Sequence, residues 1–150
     1  FSIDASTAFA VPETGETIID SPPVMVRQGG AVMAPFRLIL GFRWIVSAAD
    51  ARAAGDSPYG IYLLVLNQDA KPAVCRGKLC ICDRRRDQPY KALTWGGRDR
   101  NHQLRYGSMS GLKLTLGAAD KARITQEYGM IRFIGKFHVD MPSVTKWLEL

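Results

Sequence analysis

Three cysteines, two histidines and no long uninterrupted apolar run set the first limits on this chain of 150 residues. Cys75, Cys80 and Cys82 are odd in number and crowded together, which is not a disulfide framework and fits a reducing compartment better. Their C-x4-C-x-C spacing departs from the C-x2-C knuckle, so a zinc site completed by His102 is not expected. The most apolar region, Pro35 to Leu66, is interrupted by Arg37, Arg43, Asp50, Arg52 and Asp56 and cannot span a bilayer as a helix. His102 sits in a polar stretch and His138 in an apolar one. No Ser, Cys or carboxylate is placed beside either by the pattern, so neither a triad nor a dyad is supported. Gly29-Gly30 and Gly96-Gly97 lack the strand and helix context of a phosphate loop. Repeats and low-complexity tracts are also missing. No enzyme, metal or cofactor is expected. The opening residues have neither the basic flank nor the apolar core of a signal peptide, and a first residue of Phe1 fits a processed or truncated chain.

What is present is ordinary globular material with a basic bias. The length fits one domain, and 47% of residues are hydrophobic. The formal net charge is +6, which favours anionic partners: nucleic acid or a negatively charged membrane surface.

The region from Pro35 to Asn67 has the highest apolar density and organises the reading. At about 100° per residue, Leu38, Phe42, Ile45, Val46 and Ala49 fall on one face, and Arg37, Arg43, Ser47, Asp50 and Arg52 on the other. Pro35 suits a first turn, Ala48 to Ala54 is helix-forming, and Gly55 is a natural stop. The spacing therefore predicts an amphipathic helix over 36–54. Ile61 to Leu66 is a continuous apolar run that reads as a strand covered on both faces. Burying Leu63, Leu64, Val65 and Leu66 would contribute roughly 1.5–3 kcal/mol each before entropy is subtracted.

Residues 1–34 read as an N-terminal arm, and 35–150 as the folded domain. Thr17-Ile18-Ile19 is a candidate strand, and the Pro22-Pro23 pair keeps the chain extended. Gln28-Gly29-Gly30 fits a hairpin turn. The arm is expected either to lie on a neighbouring subunit, with Pro22, Pro23, Val24 and Met25 as the self-association residues, or to pack on its own domain. Downstream, Ala73 to Asp83, Tyr90 to Trp95 and Leu112 to Leu116 read as strands, with Lys113 and Thr115 outward. Gly117 to Lys121 reads as a turn. Ala122 to Asp140 reads as a long strand or hairpin broken at Gly129 or Gly135. Pro142-Ser143 would open a short final helix with Val144, Trp147 and Leu148 on one face. The fold class expected is α+β: a small, mostly antiparallel sheet against one amphipathic helix and a short C-terminal helix.

Charge is the clearest functional signal. Between Lys71 and Arg105, ten cations oppose Asp83, Asp87 and Asp99, a local charge of +7, while the rest of the chain is close to neutral. The candidate membrane- or nucleic-acid-binding residues are Arg76, Lys78, Arg84, Arg85, Arg86, Lys91, Arg98, Arg100 and Arg105. Tyr90, Trp95 and Tyr106 interleave with them and could stack on bases or sit at a lipid interface.

In this order the elements resemble those of rhabdovirus matrix proteins. The stretches that carry the resemblance are Phe36-Arg37-Leu38-Ile39, Ile61 to Leu66, Met130 to Asp140 with Met141-Pro142, and Trp147-Leu148. Ser21-Pro22-Pro23-Val24 lacks the tyrosine of that family's budding motif. The resemblance implies a non-enzymatic virion protein that self-associates, lies under anionic membrane lipids and contacts a viral ribonucleoprotein or RNA. It would be found in the virion, in the host cytoplasm, at the inner face of membranes and in some cases in the nucleus. The competing expectation is a capsid or nucleocapsid subunit, or another nucleic-acid-binding module. A jelly roll would need about eight strands, and a central helix argues against it.

Overall fold

The stretch Arg37–Ser47, expected as the body of the central helix, is an eleven-residue strand in the computed structural model of the chain. Its sequence RLILGFRWIVS satisfies two periods at once. Read at period two, Leu38, Leu40, Phe42, Trp44 and Val46 share a face, and all five are buried. The alternate face holds Ile39, Gly41, Arg43, Ile45 and Ser47. The β-branched and aromatic content suits a pleated surface covered by another layer, and tertiary packing overrides the helical spacing. The helical signal survives only at Ala48–Arg52, where Ser47 caps the first turn by accepting from the Asp50 N–H at 3.3 Å.

The structure describes residues 1–27, 37–53, 57–70, 73–82, 89–95, 102–107, 109–127, 129–141 and 144–149. Of these, 26, 27, 37, 73–82, 89–95, 102, 103, 112, 127, 135–141 and 144–149 are described by backbone and register. In chain order the elements are β1 (Ser2–Asp4), α1 (Ala5–Ala8), β2 (Glu16–Asp20), β3 (Val24–Arg27), β4 (Arg37–Ser47), α2 (Ala48–Arg52), β5 (Tyr59–Val65), β6 (Ala73–Cys82) and β7 (Pro89–Trp95). They continue with β8 (His102–Leu104), β9 (Met109–Leu114), α3 (Ala118–Glu127), β10 (Met130–Met141) and β11 (Val144–Glu149). The fold is a small α+β one, with antiparallel sheets and few, short helices.

The strands form two sheets. One runs β1-β10-β6-β7, with β11 added on β10 and β8 on β6. The other runs β2-β4-β5-β9, with β3 also on β4. Strands β2 and β3 share one edge of β4: β2 pairs with residues 43–47 and β3 with residues 37–40. Ser21 bridges the gap between them. Its N–H donates to the Phe42 carbonyl at 2.8 Å, and its hydroxyl accepts from the Phe42 N–H at 2.9 Å.

One core joins the sheets. The buried row of β4 and Tyr59, Ile61, Leu63 and Val65 of β5 meet Ile3, Leu104, Ile131 and Phe133 from the other sheet. Trp44 sits at the junction, stacked on Tyr59 at 5.6 Å and tilted against Phe133 at 5.5 Å. Its indole N–H donates to the Ala8 carbonyl at 2.9 Å. The Tyr59 hydroxyl donates to the Phe9 carbonyl at 3.2 Å and accepts from Lys121 Nζ at 3.3 Å. These bonds satisfy the polar tips of two core aromatics, as burial requires.

The N-terminal segment expected as an arm is woven into both sheets. Strand β1 pairs with β10, and Ile3, Ala5 and Ala8 are buried. The expected turn at 117–121 and the strand after it are instead α3, built from helix formers (Ala, Lys, Arg, Gln, Glu) with Ile124 inward. Gly129, at φ +65°, ends this segment and starts β10, so the expected break falls there, while β10 continues through Gly135. The expected final helix is β11, which ladders along β10 from Met141↔Val144 to Lys136↔Glu149. Long-range pairing decides that segment, because Val144, Trp147 and Leu148 also fit helical spacing.

The strand expected at Ile61 to Leu66 is β5, those expected at 73–83 and 90–95 are β6 and β7, and the one expected at 112–116 is β9, with Lys113 and Thr115 exposed. The expected hairpin turn at Gln28-Gly29-Gly30 lies outside the described residues.

Candidate polyanion-binding face

The two faces of the β10 sheet are fixed by burial where β1 pairs with β10. Ile3, Ile131, Phe133 and Leu104 are buried, so the odd-numbered positions of β10 and their register partners face the core. Ser2 and Asp4 are exposed, and Arg132 and Ile134 are half-buried. The even-numbered positions therefore form the outer face, because opposite residues in an antiparallel pair lie on the same side.

Register carries this face across the sheet. Arg76 pairs with His138, Lys78 with Lys136, Cys80 with Ile134 and Cys82 with Arg132. On the other side of β10, His138 pairs with Trp147 and Lys136 with Glu149. Beyond β6, Lys78 pairs with Thr94 and Cys80 with Ala92 of β7. Two neighbouring rows result: Trp147–His138–Arg76 and Glu149–Lys136–Lys78–Thr94. Adjacent strands lie about 4.8 Å apart, and positions two apart on one strand about 7 Å apart. Arg76, Lys78, Lys136 and His138 thus occupy four corners of one small patch.

The sequence-derived candidates divide accordingly. Arg76 and Lys78 are brought together on the outer face. Lys91 is the register partner of Ile81 and takes a core-side position near the register shift at the end of β6. Arg105 is exposed just after β8. Arg84, Arg85, Arg86, Arg98 and Arg100 lie outside the described residues. Arg132 and Lys136 were missed, because Met130 to Val139 reads as a core segment. The signal was available: apolar residues at 131, 133, 137 and 139 alternate with Arg132, Lys136 and His138.

Carboxylates on the outer face sit toward its margins. Asp4 is exposed, and its carboxyl is held below the usual range, chiefly by the Ser6 hydroxyl and then by the Ser6 and Thr7 N–H groups. Glu149 adjoins Lys136, and Asp140 lies one row beyond His138. The register also separates the cysteines: Cys75 pairs with His102 on the core side, whereas Cys80 and Cys82 take outer positions. Among the described residues, no three or more of His, Cys, Asp and Glu gather as metal ligands.

The opposite surface, the outer face of the β4 sheet, has a different character. Met25 pairs with Ile39, Leu64 pairs with Met109, and Leu66 lies over Gly41. Met25, Leu66 and Met109 are 44%, 43% and 51% exposed. Their neighbours Ile39 and Leu64 are half-buried, and the patch is contiguous by register. Of the sequence-derived self-association residues, Met25 belongs to it. Pro22 and Pro23 are exposed beside it, and Val24 takes the core-side position opposite Leu40. Beyond the patch, Arg43 and Asp20 form a two-point ion pair at 2.7 and 3.0 Å. That pair holds the Asp20 carboxyl below its usual range and raises the Arg43 guanidinium.

No family model matches the chain, and no curated protein matches it. Among the described residues, no helix is long and apolar enough to cross a membrane.

Proposed function

We propose that this chain is a non-enzymatic structural subunit of capsid or nucleocapsid type, which self-associates and binds nucleic acid. The observation that carries the reading is the cluster of cations at outer-face positions of the β10 sheet, on a two-sheet antiparallel fold. The objection raised from the sequence against a capsid-type fold was a central helix, and Arg37–Ser47 is a strand. The viral matrix-type reading draws on the same cations, since each Lys or Arg near an anionic leaflet contributes about 1 kcal/mol. Its resemblance relied on a helix at Phe36-Arg37 and a tryptophan-bearing final helix, and the described parts of both segments are strands. Self-association is supported by the apolar patch of Met25, Ile39, Leu64, Leu66 and Met109, because exposed contiguous apolar surface marks an interaction site.

The test is binding of the whole chain to single-stranded RNA and to anionic liposomes, each across a salt series. Salt-sensitive RNA binding that outcompetes liposomes supports the nucleocapsid-type reading. Preferential liposome binding supports the matrix-type one, and binding to neither overturns both.

A further inference from the structure

We infer that the nucleic acid taken by this face is single-stranded, and that it lies across β11, β10 and β6 with Trp147 as the base-stacking residue. The inference rests on the nucleic-acid-binding reading and deepens it. The observation is the juxtaposition of Trp147, His138 and Arg76 in one cross-strand row, with Lys136 and Lys78 in the next. These residues are scattered over more than seventy positions of sequence, and only the order β11-β10-β6 brings them onto one face.

Each component has a distinct chemical part. Arg76, Lys78 and Lys136 are the basic residues that neutralise phosphates and release counterions. A tryptophan at a register position shared with such cations adds an aromatic residue type on which any base can stack, and sequence-tolerant stacking is how sheet surfaces hold single strands. A duplex is a poor fit for the same positions. Its bases are already stacked and offer no free face to an indole, and the major groove of an RNA duplex is too deep and narrow for side chains to read. Glu149 is the β11 register partner of Lys136 and discourages phosphate at the β11 end of that row. The strand's backbone is therefore assigned to the β6 side, over Arg76 and Lys78, and a base to the β11 side, at Trp147. Carboxylates at Asp4 and Asp140 bound the patch at its ends.

The experiment is fluorescence anisotropy of the whole chain with a labelled single-stranded RNA, and with the matching duplex, across a salt series. The variants are Trp147→Ala, Trp147→Phe and the double substitution Lys78→Gln with Lys136→Gln. Far-UV circular dichroism verifies that each variant is folded. The expected results are tighter binding to the single strand than to the duplex, and about tenfold weakening by Trp147→Ala. Trp147→Phe should restore most of that loss, because it keeps an aromatic face. The lysine double variant should make the slope of log K against log salt shallower by about 1.4. If the wild-type chain binds RNA but Trp147→Ala and the lysine variant leave affinity and slope unchanged, the assignment to this face is overturned while the nucleic-acid reading stands. Equal or tighter binding to the duplex overturns the single-strand assignment. If the wild-type chain binds neither form, the nucleic-acid reading itself falls. A variant that loses its folded spectrum is replaced by Arg76→Gln, judged by the same slope criterion.

Discussion

Replacing Trp44 by alanine tests the packing of the two sheets at its centre. The side chain is completely buried between Tyr59 and Phe133, and its N–H occupies the Ala8 carbonyl. A large aromatic buries about 200 Å², worth about 5 kcal/mol at 25 cal/mol per Å². Relaxation of the site reduces this to the roughly 3–5 kcal/mol typical of such truncations. The carbonyl left without its donor adds about 1 kcal/mol or more. Against a total stability of about 5–15 kcal/mol, the expected loss is near 5 kcal/mol. The assay is urea denaturation followed by far-UV circular dichroism, read as a midpoint shift at constant m-value. The matched control is Ile45→Thr. Ile45 lies on the opposite face of β4, outside the inter-sheet cluster but itself only 7% exposed, so this change should cost about 1–2 kcal/mol, clearly less than the tryptophan truncation. Trp44→Phe, which keeps most of the ring but loses the donor, should cost about 1–3 kcal/mol and covers the case in which the alanine variant does not fold. The helical reading of 36–54 puts Ile45 inside and leaves Trp44 off the buried face. A cheap Trp44→Ala together with a costly Ile45→Thr would therefore refute the strand and the two-sheet core with it.

Three further outcomes follow from other parts of the molecule. A Cβ at Gly111 would run into the Tyr62 ring and lie 2.6 Å from the Ile61 carbonyl, so Gly111→Ala should destabilise by about 1–3 kcal/mol in the same denaturation assay. Gly41→Ala meets only the tip of exposed Leu66 at 3.1 Å and should cost clearly less; equal costs would contradict this contact geometry. The Asp20 carboxyl is held below its unfolded value by Arg43, so the pair's stabilisation is present above the unfolded carboxylate pKa and disappears as pH falls through the folded one. Both groups are partly exposed, which limits the effect to under about 1 kcal/mol. Asp20→Asn should therefore lower the urea midpoint slightly at neutral pH and not in strong acid, and a deficit that persists in acid would count against the pair. Met25→Glu with Met109→Lys should shift concentration-dependent assembly to higher protein concentration in sedimentation velocity; unchanged assembly would remove the apolar patch from the self-association account.

Much of the strand content was legible because composition and period agreed. Ile61 to Leu66 is apolar throughout, and as far as Val65 it is strand β5, but only one of its faces is covered: Ile61, Leu63 and Val65 are buried, whereas Leu64 is half-buried and Leu66 exposed. The alternation in Leu112 to Leu116 put Lys113 outside correctly. Arg37–Ser47 was not legible locally. Leu38, Phe42, Ile45 and Val46 satisfy a helix as well as Leu38, Leu40, Phe42, Trp44 and Val46 satisfy a strand, and the Ala-rich stretch after Ser47 tips local propensity toward helix. Pairing with β2, β3 and β5 decides it. Helix α3 has little apolar surface of its own beyond Ile124, so its formers were overshadowed by the apolar segment that follows. The candidate face was half legible. A charge count found Arg76 and Lys78, but Lys136, His138 and Trp147 join them only through the register of β6, β10 and β11.

The most direct measurement is a competition: the whole chain bound to labelled single-stranded RNA, challenged with anionic liposomes over a salt series. The account predicts RNA binding that weakens steeply with salt and persists when liposomes are added. Displacement of RNA by liposomes, or an affinity indifferent to salt, would contradict it.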